Sequence, residues 1–285
     1  MNKSSNVTRA QILKCLTEGM SVRATSRLTG ASRGLVLRIL AAAGDFCEGF
    51  SYFRSTNLNT VRVECDEQWS FVGAKQRNAK HMHQGDVWTY CALDADSRLV
   101  VSWLVGPRTA RNTEIFMTDL AGRLTNRVQL STDGFAPYLN AVRGAFEFAR
   151  VDYARIVKDY GQTPETGPAR RYSPATVVAV EKQRMIGRPD MDKASTSYVE
   201  RLNLETRQNC RRFTRLSNAF SKSAVNHARA VALNFFVYNY CRPHGTLSKA
   251  AKVKTTPAMA AGLADRVWTV DDIVSRMDPD LKTVT

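Results

Sequence analysis

The chain has 285 residues, enough for one full core plus a small accessory unit, and its 44% hydrophobic and 24% charged content excludes wholesale disorder. Its 41 Lys+Arg against 26 Asp+Glu leave a net charge of +15, which points to a polyanionic partner, double-stranded DNA first. Six scattered cysteines with no Cys-x-x-Cys pair exclude a zinc finger and a disulfide framework; with no signal-peptide core and no long apolar run, a cytoplasmic chain without a membrane partner is expected.

Residues 1–45 predict an all-α unit. Thr8 caps a first helix with Ile12, Leu13 and Leu16 at helical spacing, and Gly19 ends it. A second helix starts at Ser21 and carries Ala24 and Leu28 on one face. Thr29-Gly-Ala-Ser32 forms a tight turn, and Ser32 caps a third helix from Arg33 to Leu40. This is the pattern of a helix-turn-helix, with Arg33 and Arg38 as the side chains that would approach DNA. A plain three-helix packing unit has the same pattern; the net charge favours DNA binding. Residues 44–60, opening with Gly44-Asp45, are rich in turn formers, and 46–60 reads as a linker.

From 61 onward the texture is that of strands. Residues 61–65, 87–93 and 99–105 predict three strands, with Asp94 and Asp96 in the hairpin turn between the last two. A helix over 109–124, a strand at 128–130, a helix over 136–148 and a strand at 151–157 follow. Three antiparallel strands and then alternating helix and strand predict an α/β fold, a mixed five-stranded sheet flanked by helices, in the order of the ribonuclease H-like fold. Residues 176–186 read as a short hairpin. Long helices are expected over 196–216 and 222–240, then a short helix from Thr256-Pro257 and a last one from Thr269. The expected division is a catalytic unit at 61–245 and a helical extension at 246–285.

Three acids stand where separate elements would converge on one sheet edge: Asp66 ending the first strand, Asp133 just past the fourth, and Glu200 opening the helix after the fifth. Such carboxylates, on hard divalent cations, suit phosphoryl transfer. Each has a plainer reading: Asp133 before Gly134 as a turn residue, Glu200 as a favourable charge in a helical first turn. Asp66 competes with Glu64 and Glu67. Placement first in the strand order, beside Asp133 and facing Glu200, selects Asp66.

The helix around Glu200 is basic, and at helical spacing Glu200, Asn203, Arg207 and Arg211 share a face, with Arg212 and Arg215 close by. A second basic patch, Lys75, Arg77 and Lys80, lies in the loop after the first strand. His81 and His83 there lack a third ligand and read as loop. Arg242 and His244 would either touch DNA or cap a helix end.

Several stretches resemble the DDE transposases of bacterial insertion sequences, of the insertion-sequence-one type: Cys65-Asp-Glu-Gln-Trp-Ser-Phe-Val-Gly73, Gly85-Asp-Val-Trp-Thr89, Leu130-Ser-Thr-Asp-Gly134, Ser197-Tyr-Val-Glu-Arg-Leu-Asn-Leu204, Arg211-Arg-Phe-Thr-Arg-Leu216, Tyr238-Asn-Tyr-Cys-Arg-Pro-His244 and Thr256-Pro-Ala-Met-Ala260. The resemblance implies a ribonuclease H-like domain in which Asp66, Asp133 and Glu200 are catalytic and hold Mg²⁺, two ions with Mn²⁺ as substitute. It also implies cleavage at element ends and transfer of 3′-hydroxyls into target DNA by a homo-oligomer. The rival expectation is a non-catalytic helix-turn-helix regulator.

Overall fold

Three serines start the first three helices by accepting an amide of the first turn, the donors that a helix cannot satisfy itself. Ser5 accepts from Thr8 for α1 (Asn6–Thr17), Ser21 from Ala24 for α2 (Val22–Thr29) and Ser32 from Leu35 for α3 (Arg33–Arg54). The computed structural model describes residues 4–146, 150–161, 176–214 and 217–277. The first cap is thus Ser5, with Thr8 inside the helix. Between α2 and α3 the chain turns at Gly30, at a left-handed φ of 69°.

The expected linker is helical in its first half, because α3 runs on to Arg54. Gly44, read as a turn former, is a point of close approach. A Cβ there would sit 2.6 Å from the Cβ of Arg229 and 2.7 Å from its carbonyl oxygen, on helix α7 (Ala224–Phe236). The adjacent Asp45 takes two hydrogen bonds from the Arg229 guanidinium, at 2.7 and 2.8 Å. The next residue, Phe46, and Phe50 one turn beyond it enter an aromatic cluster with Phe236, Tyr240 and Trp268. Gly-Asp marks a helix–helix contact here, and burial of an aromatic face outweighs the weak helix propensity.

The sheet has six strands among the described residues, in the order β3-β2-β1-β4-β5-β6. β1 (Arg62–Val72), β2 (Gly85–Asp94) and β3 (Val100–Gly106) form an antiparallel meander. β4 (Val128–Thr132) pairs parallel to β1, and β5 (Val151–Tyr160) parallel to β4. Asp94 makes the expected turn, accepting from the Asp96 amide and the Ser97 hydroxyl. The expected hairpin at 176–186 is instead one strand, β6 (Val177–Ile186), antiparallel to β5. Its residues 177–182 are all exposed, so no in–out alternation marks the strand, and backbone pairing with β5 decides its state.

Helices α4 (Ala110–Arg123) and α5 (Pro137–Ala145) follow β3 and β4 as expected. Helix α6 is Ser197–Asn209, shorter than predicted, and a separate 3₁₀ turn holds Arg211–Phe213. Helix α7 continues into a π turn at Val237–Cys241. The carboxyl-terminal segment contributes α8 (Gly245–Ala251), α9 (Pro257–Ala260) and α10 (Val270–Arg276), the last opened by a capping box of Thr269 and Asp272. Ile273 and Val274 of α10 share one buried cluster with Ile12 and Leu13 of α1 and with the sheet. Arg242 joins the same seam, pairing with Glu18 at 3.0 Å and with the Thr17 carbonyl. Arg242 is therefore a tie to the first helix. Among the described residues no helix is long and apolar enough to cross a membrane.

Candidate metal centre

Strand β1 presents its alternate residues to two sides. Glu64, Asp66, Gln68 and Ser70 hydrogen-bond toward α6 and α7: Glu64 to the amides of Tyr198 and Val199, Gln68 to the Asn203 carbonyl, Ser70 to His227. Glu67 turns to the opposite side, toward Arg108 and Tyr138. Parallel pairing sets Cys65 against Thr132, so Asp66 and Asp133 follow one another at the ends of that register. One carboxylate oxygen from each of Asp66, Glu67 and Asp133 lies within 4.8 Å of the others. The expected neighbours meet, and Glu67 joins them.

Each acid is held. Asp66 accepts from the Asn203 side-chain amide at 2.7 Å and from the Glu67 N–H at 2.8 Å. Asp133 makes the turn bond its plainer reading predicted, to the Phe135 amide at 2.9 Å, and also takes Arg108 at 3.2 Å. Arg108 bridges Asp133 and Glu67, 2.8 Å from the latter, with its guanidinium 3.8 Å over the Phe135 ring and 4.9 Å from that of Trp88. Glu200 lies outside the three-acid cluster. Its carboxylate pairs with Lys158 of β5 and accepts the Thr196 hydroxyl at 2.6 Å.

The electrostatics are those of crowded negative charge, with Glu67 buried and Asp66 and Asp133 partly so. Burial and then the charge of Asp133 push Asp66 up to about 7, with Glu200 adding to the rise. Glu67 is pushed up to about 7 by burial and by Asp133. Burial also raises Glu64 to about 7, against the two amides that it accepts. Glu67 Oε1 is buried without a hydrogen bond; the Tyr138 hydroxyl lies near it but outside good geometry. Like charges gathered in low dielectric with an unsatisfied oxygen make a site that gains from a cation. The donors are all hard oxygen, the type that magnesium and manganese take, and they fit such an ion.

Of the residues expected to meet DNA, Arg33 and Arg38 on α3 and Lys75, Arg77 and Lys80 after β1 are exposed. Lys75 lies 5.5 Å from the Trp69 ring centroid. Trp69 packs on Phe71, which stacks on Phe220 at 4.7 Å. Asn203 is buried and engaged with Asp66 and Gln68, so it orients a carboxylate and is not a free DNA contact. The expected ladder from Glu200 to Arg211 breaks, because α6 ends at Asn209. Arg207 is on α6 and Arg211 is exposed on the following turn, whereas Arg212 is half-buried and donates to Ser221. Arg215 lies outside the described residues. The rings of His81 and His83 stack, 5.4 Å apart. Reasoning from sequence missed Arg108 and Lys158; a lone base in a loop or strand carries no pattern. The period-2 placement of Glu64 and Glu67 on opposite faces was a usable signal.

Comparison with known proteins adds an independent line. The family model of the IS1 transposase matches residues 59–162, a stretch with Asp66 and Asp133 that stops short of Glu200. The insertion element IS1 protein InsB of Shigella flexneri is 25% identical over 180 residues, covering 63% of this chain and 98% of that protein. The InsB protein of Shigella sonnei matches with the same identity and coverage. The resemblance read from the sequence is borne out.

Proposed function

We propose that this protein, whose residues 59–162 match the family model of the IS1 transposase, binds the ends of an insertion sequence, cuts there, and joins the freed 3′-hydroxyls to target DNA. The observation that carries this reading is the meeting within 4.8 Å of Asp66 and Glu67, midway along β1 and not at its end as expected, with Asp133 just past β4, and with Glu200 on α6. Asp66 and Asp133 would hold the cation, Mg²⁺ or its substitute Mn²⁺, and Glu200 would complete the set, two ions being accommodated. Bound there, the ions supply Lewis-acid stabilisation of the phosphate and lower the pKa of the attacking hydroxyl. Asn203 keeps Asp66 aimed, since its amide donates to one carboxylate oxygen and leaves the remaining lone pairs of Asp66 for the metal side. Arg108 and Lys158 balance part of the acid charge before DNA and metal arrive.

The three-helix unit, with Arg33 and Arg38 exposed on α3, is the reader of the element end. Lys75, Arg77, Lys80, Arg207 and Arg211 serve the backbone, and Arg212 contributes through its tie to Ser221. Action as a homo-oligomer, in the bacterial cytoplasm where its DNA lies, belongs to the same proposal. The test is purified protein with labelled element-end DNA, with and without Mg²⁺. Metal-dependent nicking and strand joining are expected. DNA binding without cleavage in either Mg²⁺ or Mn²⁺ would instead establish the non-catalytic regulator.

A further inference from the structure

Helix α6 carries both Glu200 and Asn203, yet it has no cap of its own. Its N-cap residue, Thr196, directs its hydroxyl to Glu200 and makes no bond to a first-turn amide. The amides of the second and third helical residues, Tyr198 and Val199, donate instead to one oxygen of Glu64, at 2.7 and 3.0 Å. Glu64 comes from β1, two residues before Asp66 and on the same side of the strand. It is 3% exposed and stands outside the three-acid cluster.

We propose that Glu64 is a positioning residue, a cap supplied from β1 that fixes the first turn of α6 and with it the place of Glu200 relative to Asp66. The inference rests on the metal-centre reading above. A carboxylate at a helix start satisfies orphan amides and meets the positive end of the helix dipole. Two further ties join the same strand and helix, Gln68 to the Asn203 carbonyl at 2.9 Å and Asn203 to Asp66 at 2.7 Å. Both lie at the second turn. Glu64 alone among these β1 side chains holds the turn from which Glu200 projects, and the Arg98 guanidinium, 3.3 Å from the Tyr198 ring centroid, packs against that turn. Capping from the strand ties the distance between two candidate ligands to two hydrogen bonds that one buried carboxylate accepts from backbone amides.

Capping depends on reach more than on charge, so two variants separate the roles. Glu64→Gln keeps the length and an acceptor oxygen; Glu64→Asp keeps the charge and withdraws the oxygen by one methylene. Three readouts on the full chain, below both melting transitions, decide. These are amide hydrogen exchange over 197–203, Mn²⁺ affinity by calorimetry without DNA, and kcat and KM for cleavage of labelled element-end DNA. Expected are faster exchange in Glu64→Asp, a Mn²⁺ Kd raised about 10-fold, and a lower kcat at unchanged KM, with Glu64→Gln near wild type in all three. Glu64→Asp equal to or better than Glu64→Gln overturns the proposal, since charge or ligation would then be what matters. So do wild-type exchange and Mn²⁺ affinity in Glu64→Asp. A wild-type protein that cuts no DNA counts against the transposition reading alone, and the order of exchange rates then decides the cap.

Discussion

Four residues apart on the same side of β1, Asp66 and Ser70 enter two buried polar clusters of opposite character. Ser70 belongs to the His227 network. That imidazole is fully buried, with Ser221 at 2.7 Å from Nδ1 and Ser70 at 3.2 Å from Nε2, and Arg212 donates to Ser221 at 3.0 Å. Burial and then the Arg212 charge push His227 down to about 3, so the ring is neutral and each nitrogen has one partner. The Asp66 cluster gathers three acids against one guanidinium and leaves a buried oxygen unpaired. A network in which each side chain finds its hydrogen-bond partner stabilises the fold. An unbalanced one costs stability and is kept for what it binds.

The contrast is broken most directly at the acids. Asp66→Asn, Asp133→Asn and Glu200→Gln are each expected to lower strand cleavage by at least about 10²-fold with DNA binding retained; full metal-dependent strand transfer in any of them removes that residue from the site. Next in size, His227→Ala leaves Ser70 and Ser221 facing a void, with an expected loss of about 2–3 kcal/mol in stability. A chemical denaturation curve measures this, and the folded fraction should cleave normally. Reduced cleavage at unchanged stability would instead bring His227 into the chemistry.

A smaller effect is the pH dependence. Asp66 and Glu67 have folded pKa values of about 7, above their unfolded values near 4. Folding therefore takes up protons between those limits, and metal-free stability should fall as pH rises from about 5 to 8. Asp66→Asn or added Mn²⁺ should flatten the slope and raise the melting temperature at pH 8, by roughly 2–4 °C for each kcal/mol recovered. A wild-type melting temperature that climbs over that window would contradict the crowding of charge. Smallest of all, Arg33→Ala with Arg38→Ala should reduce the salt slope of DNA binding by up to about 2 without changing metal affinity; an unchanged slope takes α3 out of the interface.

Much of the fold was legible because its signals are local. Thr109, Thr256 and Thr269 begin helices as their positions predict, and Asp94 makes its turn. Where prediction went wrong, distant packing had overridden local chemistry. Gly44-Asp45 lies mid-helix because Arg229, 184 residues away, receives Asp45 and leaves no room for a Cβ. β6 is a strand without alternation, since β5 pairs with it and, among the described residues, 177–182 are left exposed. Asn203 was expected on DNA from helical spacing alone, which says which residues share a face but not what that face meets.

The sequence by itself determined the α/β order and the aspartates of two neighbouring strands, because hydrophobic period, turn residues and a shared motif are written along the chain; it ended β1 at Asp66, whereas pairing with β2 carries the strand on to Val72. Only tertiary structure decided how the acids are held. Arg108 on Glu67 and Asp133, Lys158 on Glu200, Asn203 on Asp66 and Glu64 on the start of α6 join residues 25 to 137 positions apart. Each such pairing depends on distance and direction in the folded chain, and a single charged residue in a sequence states neither.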